Sequence, residues 1–123
     1  MVKVLTFLGT SAYQKATVKF GDFETSQELF PLALLEFLKM KESKGISAAF
    51  FLTEEAMKTY DKYEVERFCS DNCIEVQKIK ISEDESVTDF VRKAAELIND
   101  GDQVILDVTN SFRSITLTAV VIY

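Results

Sequence analysis

No histidine occurs among the 123 residues of the chain. That absence excludes Ser-His-Asp and Cys-His nucleophilic catalysis, His-ligated zinc, and any nuclease whose general base is an imidazole. Tryptophan is missing too, and proline occurs once, at Pro31. The four glycines (Gly9, Gly21, Gly45 and Gly101) lie too far apart to write G-x-G-x-x-G or G-x-x-x-x-G-K, so neither phosphate-cradling fingerprint is present. Two cysteines, Cys69 and Cys73, are too few for a metal centre or a disulfide framework, and read as reduced, partly buried thiols. No run approaches the roughly 20 apolar residues of a membrane span. Residues 2–8 are too short an apolar stretch for a signal peptide and carry no cleavage site. These absences point to a cytoplasmic protein with no membrane partner. Basic residues number 14 against 20 acidic ones, for a formal charge of −6. This balance argues against a general grip on duplex nucleic acid, which is driven by basic surface releasing counterions. A small anion held in a local basic pocket stays open.

What is present is the balance of an ordinary globular domain, 47% hydrophobic and 28% charged. A chain of this length makes one domain, 1–123, and buries roughly two-thirds of its unfolded surface. Residues 1–8 are β-branched and apolar up to Gly9, the pattern of a buried strand. Residues 15–20 and 23–25 flank Gly21-Asp22, which predicts a small β-hairpin after the first strand. Residues 26–44 have helical spacing, with a stripe of Phe30, Leu34, Phe37 and Leu38 and a stop at Gly45. Thr25 with Glu28 resembles a capping box, whereas Pro31 favours a later or kinked start. Leu32, Leu35 and Met40 widen that stripe and predict a second packing surface. Residues 46–52 read as another buried strand, and Thr53 caps a helix with Glu54 and Glu55 in its first turn. The imperfect alternation over 74–81 predicts an edge strand, on which Lys78 and Lys80 guard against aggregation. Ser86-x-x-Asp89 opens a helix with Val87, Phe90, Val91, Ala94 and Leu97 on one face, ended by Gly101. A fourth buried strand follows at 103–108, then a turn at 109–111 and a helix from Phe112.

Strands alternating with helices at this spacing imply an α/β fold, a Rossmann-like open parallel sheet with helices on both faces. Right-handed crossovers give the strand order three, two, one, four, the hairpin being left out of the count. The chain then reverses direction between the first and fourth strands, and ligands of open sheets bind at that crevice. Two segments meet it: Gly9-Thr10-Ser11-Ala12-Tyr13-Gln14, and Thr109-Asn110-Ser111-Phe112-Arg113-Ser114.

Both segments are rich in hydroxyls and amides. Backbone N–H groups at the start of the last helix attract anions, with Thr109, Asn110, Ser111 and Ser114 adding donors. Arg113 supplies a planar fork matched to phosphate. Gly9 permits close approach of the first segment, Thr10 and Ser11 add donors, Tyr13 offers a stacking face, and Lys15 steers phosphates. The same residues also read as ordinary architecture: Thr109 and Ser111 as caps, Arg113 as a partner of Asp107, Ser11 as part of its own turn. Phe112 starts the inner face of the last helix and reads as core, while its place in the second segment sets it among the ligand-binding candidates. Asp107, at a strand end with no second carboxylate in the first segment, reads as a structural acceptor rather than a metal ligand. No metal or cofactor is implied.

These segments also resemble a known family. Residues 7–14 (Phe-Leu-Gly-Thr-Ser-Ala-Tyr-Gln) with 104–114 (Val-Ile-Leu-Asp-Val-Thr-Asn-Ser-Phe-Arg-Ser) resemble the CARF domain, the CRISPR-associated Rossmann fold, and residues 30–35 are similar to that family's first helix. The resemblance implies a sensor of cyclic oligoadenylate, the second messenger of type III CRISPR antiviral defence, binding as a homodimer across its two-fold axis. On this likeness Gly9, Thr10, Ser11 and Tyr13 of the first segment, and Thr109, Asn110, Ser111 and Arg113 of the second, contact the ligand, with Gln14 and Phe112 beside them. Many relatives carry His-Gly where this chain has Asn110-Ser111, and serine narrows the closest backbone approach there. Relatives also continue into further domains, often a HEPN-type RNase. That nuclease needs a histidine and cannot reside in this chain. The chain is therefore expected to be an N-terminal fragment of a longer protein or a minimal sensing domain that signals to an effector. The apolar surface of the Leu32 helix and of the C-terminal segment is expected to lie under the second protomer. Some CARF domains are ring nucleases, which gives the alternative of metal-independent cleavage to 2′,3′-cyclic phosphate ends, with Arg113 stabilising the phosphorane and Ser11 and Ser111 positioning it. An unrelated small doubly wound domain is the third reading.

Overall fold

A computed structural model of the chain describes residues 1–9, 15–41 and 45–107, apart from the side chain of Val87. Ten elements follow one another: β1 (Val2–Phe7), β2 (Ala16–Phe20), β3 (Phe23–Gln27), α1 (Phe30–Lys41), β4 (Ile46–Leu52), α2 (Glu54–Lys62), α3 (Val65–Asp71), β5 (Glu75–Lys80), α4 (Val87–Leu97) and β6 (Gln103–Leu106). The main sheet is parallel and runs β5-β4-β1-β6, the order expected from the sequence. The strand at 75–80 is at the edge, where its broken alternation put it. Val2 pairs with Ile46 on one side and with Gln103 on the other, so β1 is central.

Helices cover both faces. On one, Val2, Val4, Ala48, Phe50 and Leu52 pack against Leu32, Leu35 and Leu38 of α1, Tyr60 of α2, and Val65 and Cys69 of α3. On the other, Leu5, Phe7, Ala49 and Phe51 pack against Phe90, Val91, Ala94 and Leu97 of α4. Phe7, Phe51 and Phe90 form an aromatic trio there, with ring centroids 5.1–5.6 Å apart. Such contacts add to burial of roughly 25 cal/mol per Å² of apolar surface. The two helix layers follow from handedness: the first two crossovers advance to one side of β1, and the third returns to its other side, which moves α4 to the opposite face.

The hairpin forms as expected around Gly21, whose φ of +60° opens a two-residue turn between Phe20 and Phe23. It runs further than its sequence signals, to Gln27, and this displaces two expectations. Helix α1 begins at Phe30 rather than residue 26, with Pro31 in its first turn where a missing N–H is harmless. Thr25 and Glu28 form no capping box: Thr25 lies in β3 and its Oγ1 donates to Glu36. The buried stripe of α1 is Leu32, Ala33, Leu35 and Leu38, not Phe30, Leu34 and Phe37. Those phenylalanines turn instead to the hairpin, where Phe20 stacks on Phe37 at 4.7 Å and Phe23 tilts against it at 5.9 Å. The second packing surface predicted for this helix is thus its own hairpin.

Two boundaries also shift. The helix capped by Thr53, whose Oγ1 accepts from the Ala56 amide, breaks after Lys62 into α2 and α3, because Glu64 takes a left-handed conformation (φ 51°). Ser86 caps α4 as predicted, but the helix stops at Leu97, and Gly101 sits in the later turn at φ +86°. Lys3 reaches across to donate to the Leu97 carbonyl at 2.6 Å, satisfying that helix end. β6 is only half-buried, with nothing described on its outer side. The expected end of α1 at residue 44, the strand residue Val108 and the helix from Phe112 lie outside the described residues. Among the described residues no helix is long and apolar enough to cross a membrane.

Candidate functional site

The point at which strand order reverses lies between β1 and β6, which pair in parallel through Leu5 and Leu106. β1 ends on Phe7, Leu8 and Gly9, and Gly9 is half-buried. β6 hands over to Asp107, which is buried at 7% exposure. One rung past the last paired residues, Thr6 Oγ1 donates to Asp107 Oδ2 at 2.8 Å, and the Asp107 amide donates to the Leu5 carbonyl at 2.8 Å. Thr6 is wholly buried. The carboxylate was read from the sequence as a structural acceptor, and it acts as one towards Thr6.

The described residues therefore set side by side, at one end of the sheet, the two strands that precede the candidate segments. Of the site residues named from sequence, Gly9 is described. Thr10, Ser11, Tyr13, Gln14, Thr109, Asn110, Ser111, Phe112, Arg113 and Ser114 lie outside the described residues. Lys15 is described and exposed. Sequence reasoning passed over Thr6. Its signal was there: one hydroxyl inside an otherwise apolar strand, next to the strand that ends in Asp107.

Elsewhere along the same carboxyl edge, a cleft of about 550 Å³ opens past β4 and β5. Thr53, Glu54, Glu55, Lys80, Ser82, Glu83, Glu85 and Lys93 are among its lining residues. Lys93 is already bound to Glu85 at 2.6 Å and to the Lys80 carbonyl at 3.1 Å. Four carboxylates outnumber two ammonium groups, Lys80 and the engaged Lys93, so the cleft repels rather than attracts a polyanion. A second, shallower groove of about 290 Å³ runs between Gln27, Leu32, Tyr63, Arg67 and Phe68. Its one cation, Arg67, faces Glu64 at 3.7 Å and Asp71 at 3.9 Å.

Both cysteines are free thiols; Cys69 is buried and Cys73 exposed, so only one of the pair is the buried thiol expected. Burial, with the Glu66 charge adding to it, pushes the Cys69 thiol up to about 11. It is therefore no nucleophile at neutral pH. Among the described residues no three His, Cys, Asp or Glu side chains are grouped to hold a metal ion. On the helix whose spare apolar surface was expected to lie under a second protomer, Leu32 itself is 5% exposed and packs inside the chain's own core. The apolar surface that remains open on this helix is Met40, at 60% exposure.

Comparison with protein-family models and with curated proteins finds no match for the chain.

Proposed function

We propose that the chain is a cytoplasmic sensor of the CARF type, binding cyclic oligoadenylate, and cyclic tetra-adenylate in particular, across a homodimer and signalling to an effector in type III antiviral defence. The observation that carries this reading is the strand order. β1 and β6 are neighbours, so the segments that follow Phe7 and Leu106 both leave from the reversal point of an open parallel sheet. Ligands of such sheets bind at that crevice. The sequence of the two segments supplies hydroxyls, amides and one guanidinium, a donor set for phosphate. A cyclic ligand repeats its phosphates by rotation, and an isologous pair of protomers duplicates each Arg113 around it. Local donors decide anion affinity in a cleft, so the overall charge of −6 is no obstacle.

The test uses labelled cyclic tetra- and hexa-adenylate with the purified protein and EDTA, resolved on native and denaturing gels. The expected result is a mobility shift with intact ligand, abolished in Arg113→Ala. Linear products with 2′,3′-cyclic phosphate ends would assign the ring-nuclease activity instead, with Ser11, Ser111 and Arg113 as its residues. Neither shift nor cleavage would leave the chain an unrelated doubly wound domain, and unchanged affinity in Arg113→Ala would remove that residue from the site.

A further inference from the structure

We infer that Thr6 is a positioning residue: its buried hydroxyl, acting through Asp107, fixes where the chain leaves β6. Whether that exit serves a ligand rests on the function proposed above; that Thr6 holds it does not. The two side chains occupy one rung of adjacent parallel strands, and Thr6 donates to Asp107 Oδ2 at 2.8 Å. Around them the residues are apolar and buried: Val4 on β1, Leu8 just past it, and Phe50 on β4. Folding alone gives no reason for a hydroxyl and a carboxylate there. A buried polar pair is commonly replaced by apolar residues of similar volume at no loss of stability. Leu5 and Leu106, one rung earlier, are such a pair.

Position supplies the reason that packing does not. The rung follows the last paired residues of β1 and β6, at the reversal point of the sheet. The Asp107 amide is already tied to the Leu5 carbonyl, so the Thr6 hydroxyl adds a second tie from the same strand to the same residue. One main-chain and one side-chain bond from β1 thus bear on both the height and the rotation of Asp107. The donor meets a carboxylate, and charge-assisted bonds are the stronger and shorter class.

Three proteins test this: wild type, Thr6→Val, which keeps shape and removes the hydroxyl, and Thr6→Ser, which restores it. Amide exchange is read by peptide across the whole chain, and cyclic tetra-adenylate binding is measured in parallel. In Thr6→Val, exchange of the Asp107 amide, read from peptides that begin within β6, is expected to quicken by roughly ten- to hundredfold, the worth of a hydrogen bond to a charged group. Exchange across β4 should not change, and affinity should fall by about tenfold or more. Thr6→Ser should recover both. Equal quickening in every strand, or none at Asp107, would overturn the inference and reduce Thr6 to a general contributor to stability. If wild type fails to bind while exchange behaves as expected, the proposed ligand is wrong and the positioning role stands. Thr6→Ala, which also removes the hydroxyl, serves as the second variant if Thr6→Val does not fold, and unchanged exchange at Asp107 there also overturns the inference.

Discussion

Replacing Tyr60 by phenylalanine should stabilise the protein. Tyr60 lies on α2 at 1% exposure, its ring edge-on to Phe50 at 5.6 Å, with the Lys78 ammonium 5.3 Å from the ring centroid. Its hydroxyl has no hydrogen-bond partner among the described residues. A buried hydroxyl without a partner costs about 1–3 kcal/mol relative to its hydrated state in the unfolded chain. Phenylalanine keeps the ring, its contact with Phe50 and the cation above it. The void left by the oxygen is at most about the 10–15 Å³ of one water, which at 24 cal/mol per Å³ costs about 0.2–0.4 kcal/mol. The desolvation gain wins, leaving about 1–2 kcal/mol of added stability. In urea this appears as a higher midpoint at unchanged slope, and on heating as a rise in Tm of about 4 °C per kcal/mol for a domain of this size. Burial, helped by the charges of Glu66, Cys69 and Asp61, also drives the phenol ionisation far above its ordinary value. The folded chain therefore keeps a proton that the unfolded chain releases near pH ~10. The stability linked to that proton is full below pH ~10 and falls above it, and Tyr60→Phe should flatten this alkaline limb. A lower urea midpoint for Tyr60→Phe would refute the reasoning, since it would mean that the hydroxyl holds a favourable bond.

The cysteines give a second alkaline signature. With its thiol raised to about 11 in the folded chain, Cys69 contributes stability that is complete below the unfolded thiol value of ~8.5 and is lost as pH rises towards 11. Cys69→Ala should remove that slope, at most about 1.4 kcal/mol per pH unit, from the urea midpoints; an unaltered slope would contradict it. A thiol reagent at pH 8 should label Cys73 at once and Cys69 only at the unfolding rate, and two equally fast thiols would show that the α3 packing is wrong. The hairpin is held to the body by α1, through the stacking of Phe20 and Phe23 on Phe37 and through Glu36, which accepts from Thr25 and Gln27. Phe37→Ala should cost about 2 kcal/mol and speed amide exchange in residues 16–27 while that in β1 and β4 stays slow. Lys3→Met removes the donor to the Leu97 carbonyl and should cost about 1 kcal/mol, read in the urea midpoint.

Strand order was legible because three local facts combine with one chirality rule. Apolar runs at 2–7 and 46–52 have no polar face, so both strands are interior, and the alternation at 75–80 is imperfect, so that strand is at an edge. Right-handed crossovers leave β6 the free side of β1. Caps were equally legible at Thr53 and Ser86, since a hydroxyl before an apolar-periodic run has few other uses. What failed was α1, where helical spacing fits two stripes. Leu32, Leu35 and Leu38 on one side, and Phe30, Leu34 and Phe37 on the other, are both apolar, and only the docked hairpin decides which faces the sheet. The break at Glu64 left no mark in sequence, because glutamate has no preference for the left-handed region and the surrounding packing imposes it. At the site, Asp107 was legible as a carboxylate ending an apolar strand. Thr6 was legible only in combination, as a hydroxyl on the strand that the predicted order sets beside the one ending in Asp107.

The distribution of charge along the sheet's carboxyl edge bears on where an anion can sit. Past β4 and β5 the edge is acidic, carrying Glu54, Glu55, Glu83 and Glu85. Past β1 and β6 the described residues are Phe7, Leu8, Gly9 and Asp107, the last a carboxylate engaged by Thr6. The two ends lie about two strand spacings apart, roughly 10 Å, which is about one Debye length at 0.1 M salt. Repulsion from the acidic cleft is therefore largely screened at the β1/β6 end, and an anion there responds mainly to groups within that radius. The acidic total of −6 and an anion site on the same edge are thus compatible, provided the site lies at the β1/β6 end. At that end Thr6 holds Asp107 Oδ2 against β1, within the strand layer.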